Sequence, residues 1–147
     1  MKGECLLRNM VMGVLLLGFL MLPVSGSAES IIEAGVWQVK VSQQLNAQRK
    51  SKPVIYQQCI EDLKKMTTVL KPEPNCSVYN VLAKSKEITW DIHCVSNTNS
   101  SDGSATMFKS NGGLTGKIEM RVTVPGVSFT MPTSREFSAT RISDCKP

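Results

Sequence analysis

Few residues in this chain could do chemistry. It holds one histidine, five cysteines and eight methionines. His93 precedes Cys94, and Asp91 lies two residues earlier, on the same face if the segment is a strand. A carboxylate so placed could orient an imidazole as a general base. Same-face neighbours on one strand are equally what a solvated surface presents, so no catalytic residue is assigned. Met107, Met120 and Met131 could offer soft thioethers to copper(I), but methionines on the inner face of a strand are ordinarily core. The cysteines show no CxxC spacing, which argues against both a redox pair and a zinc ligand set. No glycine-rich loop precedes a helix to cradle phosphate. The expectation is therefore no metal and no cofactor, with the cysteines structural.

Bridging needs elements that bring cysteines together. The stretch from Cys76 to Cys94 reads as a hairpin with Ser85 at its tip. That register sets Cys76 against Cys94, Val78 against Ile92, Asn80 against Trp90 and Leu82 against Ile88, all on one face. Directly opposed residues of an antiparallel pair lie about 4.5–5.5 Å apart at Cα, within reach of a disulfide. With Cys5 set aside in the N-terminal stretch, the other four cysteines allow three connectivities. The hairpin favours Cys76–Cys94, which leaves Cys59–Cys145. Chain entropy gives about 3 kcal/mol for the shorter loop and about 4.6 kcal/mol for the longer one.

Disulfides require export, and the N-terminus supplies a reason for it. Lys2 and Arg8 mark a charged start, and Met10 to Leu22 carries no charge. Pro23, Gly26, Ser27 and Ala28 then offer small or helix-breaking residues for cleavage. The run is too short to span a bilayer core of about 30 Å. Residues 1–28 are thus expected to be a cleaved signal peptide and residues 29–147 a single disulfide-bonded antiparallel β domain. No cysteine lies at the cut to carry lipid, Cys5 being too early, so the expected location is periplasmic or secreted, without stable membrane insertion. Losing Lys2, Arg8 and Glu4 lowers the formal charge from +5 to +4. Short basic pairs such as Arg49-Lys50 read as solvated surface, and the lack of interleaved aromatics argues against nucleic acid.

Alternation organises the rest. Val36 to Leu45 and Pro53 to Ile60 read as strands, with Trp37, Val39 and Val41 inward on the first. Glu61 to Leu70 is the one helical candidate, ended by Pro72 and Pro74. After a polar loop over 97–102, strands are expected at Ser104 to Ser110 and, past the Asn111-Gly112-Gly113 turn, from Lys117 to Val124. The turn leaves open whether Met107 or Phe108 faces inward. Pro125-Gly126 should return the chain along Val127 to Met131, with Met131 opposite Met120. Pro132, opposite Glu119, implies a bulge or unpaired edge. A last strand spans Arg135 to Ile142. The expected fold is all-β with one short helix: an up-and-down antiparallel meander of about eight strands, partly closed and barrel-like, with a β-sandwich as the alternative.

Several phrases in order resemble a known family. They are Gly35-Val36-Trp37-Gln38-Val39, Gln58-Cys59-Ile60, Trp90 four residues before Cys94, Gly113-Leu114-Thr115-Gly116, and Arg141-Ile142-Ser143-Asp144-Cys145. Their order and spacing are similar to the bacterial exported family called domain of unknown function 3617. The resemblance implies export and a four-cysteine framework, and it implies no known activity.

The functional expectation is a non-catalytic envelope binding module for a small apolar ligand or a protein partner. The alternative is an envelope hydrolase or metal-dependent enzyme using His93.

Overall fold

The computed structural model describes residues 31–45 and 47–146; the expected leader lies outside them. Strand β1 (Gly35–Gln44) buries Trp37 and Val39 and leaves Lys40 exposed, as alternation requires. It is followed by β2 (Val54–Ile60), helix α1 (Leu63–Val69), β3 (Cys76–Ala83), β4 (Glu87–Val95), β5 (Ser100–Ser110), β6 (Gly113–Thr123) and β7 (Thr130–Ser143). The seven strands form one antiparallel sheet in the order β2-β1-β7-β6-β5-β4-β3. This is the cyclic order of an up-and-down barrel, opened between β2 and β3.

The opening follows from strand direction. Every neighbouring pair is antiparallel. Counting from β3 round to β2, the two edge strands therefore run the same way. A hairpin cannot join them, so the chain must return along the sheet before β3 begins, and α1 makes that return. Asp62 caps the helix by accepting from the Lys65 amide at 2.7 Å. Met66 and Leu70 turn inward to the core, and the Tyr56 hydroxyl of β2 donates to the Val69 carbonyl at 3.3 Å.

The inner face of the sheet carries the core, including Ile88, Trp90, Ile92, Met107, Leu114, Ile118 and Phe137. Gly103 and Gly116 face the same way and give room to larger neighbours. A Cβ at Gly116 would meet the Phe137 ring at 2.3 Å, and one at Gly103 would meet Met120 sulfur at 2.5 Å.

Three details differ from the expected register. The strands read separately at Val127 to Met131 and Arg135 to Ile142 are one strand, β7, so the sheet has seven strands. The β6–β7 turn is longer than Pro125-Gly126 alone, which moves Met131 opposite Val122 and Pro132 opposite Arg121. Pro132 costs little there, because β1 pairs with β7 only from Ser134 onward and one side of β7 is open at that point. The β3–β4 hairpin keeps Cys76 opposite Cys94 and Val78 opposite Ile92, then slips by one residue. Asn80 has φ +50 and opens a bulge, so Leu82 pairs with Thr89 and Ala83 with Ile88. Asn80 and Leu82 are consequently exposed rather than inward. The turn after β5 resolves plainly: Ser110 pairs with Gly113, Met107 is buried and Phe108 exposed.

Candidate functional site

Each edge strand is fastened by a disulfide. Cys76 of β3 joins Cys94 of β4, with Cα atoms 4.0 Å apart. Cys59, near the end of β2, joins Cys145 beyond β7, with Cα atoms 5.5 Å apart. The bridges sit at opposite ends of the sheet. An edge strand has one ladder instead of two and frays most easily, so the cross-links fall where the sheet is weakest. Bridged cysteines of this kind fit a non-cytoplasmic, oxidising compartment.

His93 lies on the outer face of β4. Its expected neighbour Asp91 does not orient it: Asp91 Oδ2 accepts from the Asn80 amide at 2.8 Å, across the bulge. The partner is Asp102 of β5, whose Oδ1 lies 2.6 Å from His93 Nδ1. Asp102 was expected in a loop; the connection is shorter, residues 96–99, and β5 starts early enough to set Asp102 directly opposite His93. The four-residue 96–99 connection is what produces that pairing.

On the other side of His93, directly opposed, stands Ser77 of β3. Serine, histidine and aspartate thus occupy neighbouring strands in the order used for acyl transfer. The surroundings are poor for it. The side chains of His93 and Asp102 are 43% and 66% exposed, so water screens the pair. Among the described residues no hydrogen bond joins Ser77 to the ring. Strand β4 is laddered on both sides, which leaves its amides engaged rather than free as oxyanion donors. Among the described residues no three His, Cys, Asp or Glu side chains converge as metal ligands. Met107 and Met120 are buried in the core while Met131 is exposed, so these thioethers belong to different environments.

The outer face also bears two open grooves. One of about 540 Å³ runs past Asp102, Glu119, Arg121 and Pro132. The other, of about 520 Å³, is lined by Lys40, Lys117, Glu136 and Ser138. Glu119 of the first pairs with Lys117 of the second at 2.6 Å, and Glu136 of the second pairs with Lys50 at 2.5 Å. In the interior, the Trp90 indole N–H is buried and, among the described residues, has no hydrogen-bond partner. It sits among apolar side chains, tilted against Phe137.

The phrases quoted from the sequence resolve into two structural devices. Gly35 packs against Arg141, whose guanidinium donates to the Ala34 carbonyl at 2.9 Å and pairs with Asp144, beside the Cys59–Cys145 bridge. Val36 pairs with Cys59 on one side and Ser143 on the other, completing a clasp of the first strand with the end of the last. Trp90, Gly116 and Phe137 form the second device, in the core. Neither device presents a reactive group to a cavity.

The class so defined is an open, curled antiparallel sheet with a disulfide on each edge strand. The chain belongs to the DUF3617 family, proteins of unknown function, whose family model matches residues 32–145. No curated protein and no solved structure matches it.

Proposed function

We propose that the domain is a non-catalytic binding module of the bacterial envelope, periplasmic or secreted, that takes an extended segment of a protein partner on the free edge of β3. The observation that carries this reading is the edge itself. Among the described residues strand β3 has a ladder on one side only, and Tyr79, Val81 and Leu82 are exposed along it. Unpaired amides and carbonyls supply affinity for another strand, and apolar side chains along it supply selectivity. The bulge at Asn80 limits indiscriminate pairing, as bulges at sheet edges do. A small apolar ligand inside the sheet is less well supported, because Trp90, Ile92, Met107 and Ile118 fill that space.

The test is an NMR titration with extended peptides selected against the protein. Amide shifts should concentrate on Cys76–Ala83, and Leu82→Lys or Tyr79→Ser should weaken binding. A footprint on other strands, or undiminished affinity in both variants, sinks the reading.

The Ser77–His93–Asp102 row favours a second reading, an envelope hydrolase acting on exposed esters. Under it, a fluorophosphonate should label Ser77, and His93→Ala should abolish labelling. Unlabelled protein would remove this alternative.

A further inference from the structure

We infer that the end of the sheet bearing the 45–53, 70–75, 96–99 and 124–129 loops docks on a phospholipid surface with anionic headgroups. Strand directions place these four loops at one end. Six exposed apolar side chains gather there: Leu45, Val54, Val95, Val127, Phe129 and Met131. Phe129 is 63% and Val54 65% exposed. The 124–129 turn, Val-Pro-Gly-Val-Ser-Phe, holds no charge and is closed by the Val127 amide on the Val124 carbonyl at 3.1 Å. Surface turns are ordinarily polar, and an apolar tip presented to water is the form that inserts into a headgroup layer.

Charge separates this end from the other. The four loops carry Arg49, Lys50, Lys52 and Lys71 against Glu73 alone. The segments at the opposite end, with the first turn of α1, carry Lys64, Lys65, Lys84, Lys86 and Lys146 against Glu33, Glu61, Asp62 and Asp144, so their surplus of positive charge is smaller. Lys50 is engaged by Glu136, and Lys71 donates to the carbonyls of Pro74 and Cys76. Arg49 and Lys52 are exposed and, among the described residues, carry no ion pair. Cations flanking an apolar tip are the complement of an anionic membrane surface, and a partner protein would not require that charge bias. The inference stands independently of the β3 edge.

Sedimentation with vesicles of phosphatidylglycerol and phosphatidylcholine tests it, with pure phosphatidylcholine vesicles as the control. The purified protein should sediment with the anionic vesicles at low salt and be released as salt rises. Arg49→Glu with Lys52→Glu, and separately Val127→Ser with Phe129→Ser, should each lower partitioning by about tenfold. Phe108→Ser, at the other end, should leave it unchanged. All these side chains are exposed, so thermal unfolding should stay near the parent and separate lost binding from lost fold. In Phe129→Trp the added indole emission should shift to the blue on binding. No sedimentation with anionic vesicles, or equal sedimentation by Val127→Ser/Phe129→Ser, overturns the inference and leaves the apolar end to a protein partner.

Discussion

The rings of Trp90 on β4 and Phe137 on β7 lie 6.3 Å apart at their centroids, although two strands separate them in the sheet. Three ladders of about 4.8 Å would hold their backbones about 14 Å apart on a flat sheet. Curl and the lean of both side chains close the gap. Gly116 of β6 makes it possible, because it pairs with Phe137 and its missing side chain lets the ring lie across the strand.

Gly116→Ala should therefore act through Phe137. The added methyl meets both the ring and the Thr106 carbonyl at 2.3 Å, and the backbone contact cannot move aside. Overpacking of this kind costs about 1–3 kcal/mol, and Phe137→Ala about 3–5 kcal/mol by cavity formation. Adding Phe137→Leu to Gly116→Ala should cost less than the two separately, since the smaller side chain relieves the clash. Denaturant unfolding of the four members of that cycle measures the coupling. Additive costs would mean that ring and glycine do not communicate.

The disulfides should divide their effects by edge. Removing Cys59–Cys145, which closes a separation of 86 residues, should cost more than removing Cys76–Cys94, which closes 18. Loss of either is expected within about 2–5 kcal/mol. Hydrogen exchange distinguishes them further. Without Cys59–Cys145 the amides of β2 should lose protection first, and without Cys76–Cys94 those of β3. Uniform loss of protection across the sheet would contradict the edge-fastening role.

Alternation made most of the sheet legible. Trp37 and Val39 inward on β1, Ile118 and Met120 inward on β6, and the facing of Cys76 and Cys94 all followed from period two. What alternation cannot show is a change of count. One extra residue at Asn80 reversed the facing of Leu82, and a longer turn after Val124 moved Met131 by two positions. Neither Asn80 nor Val127 violates a local rule; each simply tolerates an arrangement that the neighbouring strands select. Strand direction was the other hidden quantity, since the return through α1 depends on how many antiparallel steps separate β2 from β3. Of the candidate site, His93 was visible by its type, but its partner Asp102 depended on the length of the 96–99 loop.

Asn80 offers a direct check on the bulge. At φ +50 an L-residue is uncommon, with asparagine and glycine the types that tolerate it best. Asn80→Gly should keep the backbone while losing the bond to Asp91, for a cost below about 1 kcal/mol. Asn80→Val adds β-branching in the left-handed region and should cost about 1–3 kcal/mol. If valine proved no worse than glycine, the strand would have repaired its register. NMR contacts between Leu82 and Ile88 would then replace those between Leu82 and Thr89.

Tyr56 makes folding stability fall at alkaline pH. Burial against α1 raises its phenol above the usual tyrosine range, because the charged phenolate would be desolvated there. Below pH 10 the group is protonated in both folded and unfolded chains, and its contribution is complete. As pH climbs through 10, the unfolded chain releases the proton first, so folding stability falls. Tyr56→Phe removes the bond to the Val69 carbonyl and should cost about 0.5–1.5 kcal/mol at pH 8. The variant has no phenol at this site to ionise, so the gap between it and the parent should narrow steadily from pH 10 upward. Urea unfolding of both proteins between pH 8 and 11 reads this directly, and the four bridged cysteines of the domain add no thiol titration of their own. A gap that stayed constant across that range would show that the phenol remains solvated and that α1 does not bury it.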